Sequence, residues 1–180
     1  MTPIQTKFNG RHYRSRMEAR YAVLLHACRL PYEYEREGFG LEQGRYLPDF
    51  WLPTLGIFFE VKGWLPTSRE KDLCQGLADD TQRRVVISYG DPGLETLLCG
   101  FAPEWHWTLI QTLPEFLMQW LPPEIVLASI AIAQSARFEF GETPNVVPIS
   151  TGAARLTLGP ARLMNGAPST AKPGSAASAP

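Results

Sequence analysis

The sequence has few cysteines, no long apolar run and no excess of charge of either sign. Its three cysteines are odd in number, widely spaced and form no C-x-x-C pair, so neither a disulfide framework nor a structural zinc site is indicated. The most apolar stretch, residues 125–133, is far too short to span a bilayer, and the N-terminus lacks an apolar signal core. A formal net charge of −1 provides no global basic field for nucleic acid. These absences predict a cytoplasmic protein without a membrane partner, whose other partners must be inferred from local charge.

The composition predicts one folded domain and a tail. A hydrophobic content of 44% in 180 residues can supply a core for a single domain. Beyond about Pro144 the composition turns to Ala, Pro, Gly, Ser and Thr, which cannot bury enough apolar surface to order the chain. We therefore place the domain at residues 1–142 and expect residues 143–180 to be disordered.

Two apolar stretches, residues 46–52 and 56–62, form the most informative part of the chain. A short turn about Thr54 and Leu55 would fold them into a hairpin with Asp49 directly opposite Glu60. Period-two alternation then puts Asp49, Glu60 and Lys62 on one face of the sheet. The other face is apolar and suits packing under a helix; it collects Phe50, Leu52, Ile57, Phe59 and Val61.

The charges of this hairpin have two interpretations. Asp49 could be a turn residue, while Glu60 and Lys62 could belong to a solvated edge strand. However, opposed carboxylates among apolar side chains are costly unless a cation offsets them. The apolar context favours a functional site that binds a metal ion.

The rest of the chain predicts a mixed α/β (α+β) fold. A strand or hairpin over residues 7–14, turning at Asn9-Gly10, precedes a helix from Ser15 to Leu30. Residues 32–39 alternate as a strand, residues 67–80 form a helix, and residues 83–89 form a buried strand. The second half predicts a further edge strand at 105–110, a short helix at 114–120 and another from 122 towards 140. The order is helix, three antiparallel strands, helix, strand, with C-terminal helical additions.

Glu18 also has two interpretations. Ser15 is a good N-cap, and a glutamate three residues later completes a capping box. Glu18 equally shares a helical stripe with Ala22 and Leu25, which puts it at the margin of the buried face, where it could point towards the charged edge of the sheet.

The first thirty residues carry a local basic bias, because Glu18 is their only acid. Side chains there could contact the phosphates of a nucleic acid, although they could equally be ordinary solvated cations. The candidates for phosphate contact are Lys7, Arg11, Arg14, Arg16 and Arg20.

Pro48-Asp49, followed after eleven residues by Glu60-Val61-Lys62, resembles the PD-(D/E)XK signature of restriction-endonuclease-like nucleases. The first half of the chain is similar to small phage and mobile-element members, and to the nuclease domain of TnsA-type transposition endonucleases. The resemblance implies a restriction-endonuclease-like αβββαβ core, with a mixed central sheet flanked by helices. It also implies a helix that contributes an acidic residue to the metal site, which corresponds to the segment around Glu18.

The resemblance implies a metal-dependent DNA endonuclease that hydrolyses phosphodiester bonds in phage or mobile-element DNA processing. Mg²⁺, or Mn²⁺ in its place, prefers oxygen ligands. We expect these from Asp49, Glu60, the Val61 carbonyl and Glu18, with Lys62 orienting or deprotonating the attacking water. Glu18, Asp49, Glu60 and Lys62 are thus the catalytic candidates.

Two alternatives to a free-standing nuclease remain at this point. One is a TnsA-like or junction-resolving nuclease that is active only in an assembly. The other is a catalytically idle DNA-binding or scaffold module of the same fold. No second DNA-binding motif is visible in the sequence, so specificity would come from loops or from a protein partner. Homodimerisation stays open.

Overall fold

The computed structural model describes residues 6–103, 105–138 and 143–150, and within 105–110 it describes the backbone alone. The expected disorder of the tail falls largely on residues 151–180, which lie outside the described residues. The strands are β1 (Thr6–Phe8), β2 (Arg11–Tyr13), β3 (Glu33–Tyr34), β4 (Phe39–Leu41), β5 (Gly44–Tyr46), β6 (Phe50–Leu52), β7 (Ile57–Lys62), β8 (Arg84–Tyr89), β9 (Leu97–Ala102) and β10 (Trp105–Thr112). The helices are α1 (Arg16–Ala27), α2 (Ser68–Thr81), α3 (Leu113–Leu117) and α4 (Pro123–Ser135).

A mixed six-stranded sheet forms the centre of the fold, in the order β10-β9-β8-β7-β6-β3. β7 and β8 are parallel, and the other neighbours are antiparallel. Along the chain, α1, β3, β6, β7, α2 and β8 give the predicted order of helix, three antiparallel strands, helix, strand. The prediction of a mixed α+β fold with a mixed sheet flanked by helices is confirmed.

Each face of the sheet packs against different helices, because the side chains of β7 alternate between them. Ile57, Phe59 and Val61 belong to an apolar cluster with residues of α1, α3 and α4. Phe58 belongs to a second cluster with residues of α2, β8 and β9. The apolar face predicted for the hairpin therefore does pack under helices, with α1 among them.

Local signals account for the turn and the caps that the sequence indicates. Asn9 and Gly10 both have positive φ, 46° and 77°, and join β1 to β2. Ser15 caps α1, and its Oγ accepts a hydrogen bond from the Glu18 N–H. Thr67 caps α2 in a complete capping box with Glu70.

Several predicted strand and helix limits are wrong. Residues 32–39 are not one strand: only Glu33 and Tyr34 pair with β6, and Glu35 turns away with a φ of 45°. The predicted strand over 46–52 is broken at Leu47-Pro48, because Tyr46 pairs in a separate β4–β5 hairpin. β9, which the sequence analysis did not predict, lies between β8 and β10. The last helix ends at Ser135 instead of continuing towards residue 140.

Among the helices within the described residues, none combines the length and the hydropathy that crossing a bilayer requires.

Candidate active site at the end of the β6–β7 hairpin

The turn between β6 and β7 sets the position of the candidate site. Leu52 accepts hydrogen bonds at its carbonyl from the N–H groups of Leu55 and Gly56, and Gly56 has a φ of +66° that favours glycine. Trp51 then pairs with Phe58, as the sequence predicts. Because the register is set here, the chain just before β6 runs alongside the carboxyl half of β7.

Asp49 and Glu60 are held together by reciprocal bonds to the backbone. The Asp49 N–H donates to Glu60 Oε1 at 2.9 Å, and the Val61 N–H donates to Asp49 Oδ2 at 2.9 Å. Asp49 is 3% exposed and Glu60 is 0% exposed. The structure therefore places the two predicted carboxylates next to each other and out of bulk water.

Lys62 provides a cation for Glu60. Its Nζ lies 3.0 Å from Glu60 Oε2, and its side chain is 26% exposed. Burial would lower the pKa of Lys62, but the carboxylates of Glu60 and Asp49 outweigh that effect and raise it above the ordinary value. Apart from this ion pair, Glu60 Oε2 accepts no hydrogen bond from the described residues.

The surroundings of Asp49 disfavour its ionised form. Burial raises the pKa of Asp49 well above its usual range, and the neighbouring charge of Glu60 raises it further. Lys62 and the Val61 N–H act in the opposite direction. A carboxyl group in this state gains from any additional positive charge placed beside it.

Arg14 connects Asp49 to two further carboxylates. Its Nη2 donates to Asp49 Oδ1 at 2.9 Å, and its Nε forms an ion pair with Glu35 and lies 4.0 Å from Glu18 Oε2. The Arg14 side chain is 55% exposed, so one end of this network reaches solvent. Arg14, predicted as a phosphate contact, is thus also part of the carboxylate cluster.

Glu18 is buried but is not in contact with Asp49 or Glu60 through any hydrogen bond of the described residues. One carboxylate oxygen accepts from Ser15 Oγ at 2.8 Å, and the other accepts from the Tyr34 hydroxyl. The Glu18 side chain bonds the Ser15 hydroxyl instead of the Ser15 backbone N–H, so the second half of the predicted capping box is not formed. Its nearest link to Asp49 is the guanidinium of Arg14.

The charges of this cluster do not balance. Within the described part of the chain, the ion pairs join two cations to four carboxylates. The cations are Arg14 and Lys62, and the carboxylates are Glu18, Glu35, Asp49 and Glu60. A divalent cation would cancel the formal difference of two charges.

The donor atoms suit a hard cation, but the carboxylates are not gathered as a metal cage. Asp49, Glu60 and the Val61 carbonyl offer only oxygen, which Mg²⁺ and Mn²⁺ prefer. No group of three or more His, Cys, Asp or Glu side chains within the described residues is arranged to hold a metal ion. The buried Glu60 Oε2, which faces the Lys62 ammonium and accepts no hydrogen bond from the described residues, is the observation that fits an added cation.

The remaining predicted phosphate contacts are scattered along β1, which contains Lys7, and along β2 and α1. Arg11 Nη1 donates to the Tyr34 carbonyl at 3.2 Å. Arg20 is held by both carboxylate oxygens of Asp91 at 3.0 Å. Arg16 is exposed at the start of α1. The structure does not bring Arg11 and Arg20 into the contacts of the carboxylate cluster.

Sequence reasoning missed Glu35 and Tyr34 as members of the site. The alternation over 32–39 predicts only that Glu35 lies on a strand, whereas its N–H bonds the Asp49 carbonyl at 2.9 Å and its carboxylate pairs with Arg14. The Tyr34 hydroxyl donates to Glu18 and accepts from the Arg14 N–H. The alternation of Tyr and Glu at 32–35 was a signal for paired side chains, but it could not reveal the positive φ that turns Glu35 towards Arg14.

The resemblance to restriction-endonuclease-like nucleases rests on Asp49, Glu60 and Lys62 and on the order of helices and strands around them. No family model, no curated protein and no solved structure matches the chain.

Proposed function

We propose that the protein is a metal-dependent DNA endonuclease of the PD-(D/E)XK type, with a restriction-endonuclease-like core, that hydrolyses phosphodiester bonds in phage or mobile-element DNA. One observation carries the proposal: Asp49 and Glu60 are buried side by side, with Lys62 Nζ 3.0 Å from Glu60, in a cluster that is short of positive charge. Buried charges that oppose each other cost stability, and such groups concentrate at functional sites.

Asp49, Glu60 and the Val61 carbonyl would hold Mg²⁺ or Mn²⁺. When bound, the ion supplies a positive charge for the phosphoryl oxygens and makes water a better nucleophile. Burial of Asp49 and Glu60 keeps bulk water away, which strengthens the attraction between these carboxylates and a cation.

In this proposal Lys62 would act on both the attacking water and the substrate. Its ammonium has three N–H donors, is fixed by Glu60 at one side and reaches solvent with 26% of its side chain exposed. It can therefore orient a water molecule and offset the negative charge that develops on the phosphate. Arg14 bonds Asp49 Oδ1, and because 55% of its side chain is exposed, a phosphate could reach it from solvent.

The loop after Lys62 favours a nucleic-acid substrate. Trp64 is 88% exposed, two residues beyond Lys62. An exposed indole beside a phosphodiester site gives an unpaired or distorted base a surface on which to stack. We infer that Trp64 contacts substrate bases next to the cleaved bond.

The test compares isosteric amides at the site with one amide elsewhere. Asp49→Asn and Glu60→Gln each remove a charge but keep the side-chain shape, while Glu37→Gln does the same at an exposed position. Supercoiled, linear, single-stranded and four-way-junction DNA are incubated with Mg²⁺, Mn²⁺ or EDTA. We expect cleavage by the wild type and Glu37→Gln only with metal, and none by the two site variants. Wild-type cleavage by either site variant, or full cleavage in EDTA, would refute the assignment.

One observation favours a second candidate, a catalytically idle DNA-binding or scaffold module. Arg14 pairs with Asp49 and Lys62 pairs with Glu60, so each of these two carboxylates has a protein cation. Titration calorimetry separates the candidates: the nuclease binds Mg²⁺ or Mn²⁺ with loss of binding in Glu60→Gln, whereas the idle module binds neither ion and still binds DNA.

A further inference from the structure

A pocket of about 560 Å³ opens at the opposite end of α1 from Glu18. The β1–β2 hairpin, the last turn of α1 and the segment that follows it form the walls. This volume falls within the range of small-molecule sites, roughly 300–1,000 Å³. None of the residues that carry the metal and catalytic assignments lines it.

The lining of this pocket is basic. Arg11, His26 and Arg29 contribute to it, and within the described residues no Asp or Glu does. Arg29 has a φ of 55°, an uncommon conformation for arginine that ends α1 and places this residue in the pocket wall. A pocket with this lining repels metal ions and attracts anions.

The cation type favours phosphate among the anions. Guanidinium groups are planar, stay charged and match the geometry of phosphate oxygens with paired N–H donors. Arg11 uses Nη1 to bond the Tyr34 carbonyl, and an arginine has five N–H donors in all. Two such groups and an imidazole around one space can contact a phosphate from several sides.

The rest of the lining suits a base and a sugar. Tyr13 and Tyr32 line the pocket with their hydroxyls 3.0 Å apart, and the apolar contributors are Leu30, Pro31 and Pro148. A phosphate ion alone would leave most of about 560 Å³ to water. Tyr13 and Leu30 are buried in the core, so the surfaces for stacking and contact come from Tyr32, Pro31 and Pro148, whose side chains are at least partly exposed.

We propose that this pocket binds the phosphate and base of a nucleotide, which is either free or the end of a DNA strand. The site lies apart from the carboxylate cluster, and its binding does not require phosphodiester cleavage. Tyr34 links the two regions, because its carbonyl bonds Arg11 and its hydroxyl bonds Glu18. A nucleotide that draws Arg11 towards itself would therefore weaken the Arg11 bond to Tyr34, whose hydroxyl contacts Glu18.

Calorimetry in EDTA tests the proposal with five probes: thymidine monophosphate, thymidine, inorganic phosphate, and a short oligonucleotide both with and without a 5′-phosphate. We expect thymidine monophosphate, the 5′-phosphorylated oligonucleotide or both to bind more tightly than thymidine and inorganic phosphate. Binding of the monophosphate alone identifies a free nucleotide, and binding of the phosphorylated oligonucleotide identifies a strand end. Absence of binding by both, or equal binding of thymidine or inorganic phosphate, overturns the proposal.

Three variants connect binding to the pocket. Arg29→Asn removes the charge with a residue that tolerates positive φ, and Arg11→Gln keeps a donor for the Tyr34 carbonyl. Each should weaken nucleotide binding at least tenfold, with folding checked by circular dichroism. Arg45→Gln, at an exposed position of β5, is the matched control and should leave binding unchanged. Wild-type affinity in both pocket variants would refute the site.

A last control separates this proposal from the nuclease assignment. Asp49→Asn should bind the nucleotide as tightly as the wild type, because Asp49 does not line the pocket. Loss of cleavage with retained binding leaves both proposals standing. Nucleotide binding without metal-dependent cleavage in the wild type would refute the nuclease alone.

Discussion

The two ends of helix α1 carry opposite charges in opposite settings. At its first turn, Glu18 joins a partly buried cluster of four carboxylates and two cations. At its last turn, His26 and Arg29 face an open pocket that no acid of the described residues lines. The helix dipole favours these signs, but only by about 0.3–1 kcal/mol per charge.

The difference shows what each end lacks. The acidic end contains more negative charge than its own cations offset, so an added cation would stabilise it. At the basic end, Arg11, His26 and Arg29 line a space large enough for a small molecule, and no Asp or Glu of the described residues lines it, so an anion would be favoured there. One helix can therefore support a metal-dependent reaction at its start and nucleotide binding at its end.

If the acidic end performs the chemistry, Lys62→Met should have the largest effect after the amide variants of Asp49 and Glu60. The substitution removes the ammonium that orients water and offsets phosphate charge, so cleavage should fall at least about a hundredfold. Metal binding by calorimetry and nucleotide binding at the basic end should persist. Lys71→Met on α2 is the control. Wild-type turnover of Lys62→Met would remove Lys62 from the reaction.

Glu18→Gln should have the next largest effect, and it tests whether Glu18 belongs to the acidic end in function. Glu18 is linked to Asp49 through Arg14, so we expect cleavage to fall about tenfold, which corresponds to about 1.4 kcal/mol. The N-cap hydrogen bond is donated by the backbone N–H of Glu18 to Ser15 Oγ and does not involve the carboxylate, so the free energy of unfolding should stay unchanged.

Ser15→Ala is the matched variant for Glu18→Gln, because it removes the cap and keeps the carboxylate. It should cost about 1 kcal/mol of unfolding free energy. If Glu18→Gln keeps the wild-type rate across a Mg²⁺ titration, Glu18 serves only the helix start and the Tyr34 contact.

Arg14→Gln should have a smaller effect, and it removes one of the two cations of the acidic end. Asp49 would lose its arginine partner, and because the Arg14 side chain is 55% exposed the cost should be only about 1 kcal/mol. Mg²⁺ should then stabilise Arg14→Gln more than it stabilises the wild type, since an added cation replaces the lost one. Urea denaturation with Mg²⁺ or EDTA measures this. A Mg²⁺ effect of zero in both proteins would favour the idle module.

Truncation of the chain after residue 142, which removes part of the basic end, should have the smallest effect. Val146 packs against the core, Pro148 lines the pocket, and the Ile149 N–H bonds the Ala27 carbonyl at 3.1 Å. A chain ending at residue 142 should melt about 2–4 °C lower, the shift expected for roughly 1 kcal/mol, and should bind nucleotide less tightly. A chain ending at residue 150 is the control. Equal melting of both chains would support the boundary predicted at 142.

Much of the site's framework could be predicted because short-range rules govern it. The turn at Thr54-Leu55 sets the pairing of Trp51 with Phe58. Period-two alternation then assigns each side chain of β7 to one face of the sheet or the other. The cap at Ser15 follows from a hydroxyl beside the first free N–H groups of a helix. The chemical partners of Arg14 did not follow, because its contacts with Glu35 and Asp49 span long stretches of chain.

By itself, the sequence determined the hairpin register, the helix starts and the closeness of Asp49, Glu60 and Lys62, since these depend on turns, caps and period-two alternation within a few residues. Only the tertiary structure decided three other features: Arg14 as the partner of Asp49, the contact of Glu18 with Tyr34, and the basic pocket. Each joins side chains from separate elements, whose meeting depends on how helix α1 packs on the sheet. No local pattern encodes that packing, because many sequences with the same periodicity can bring different side chains together.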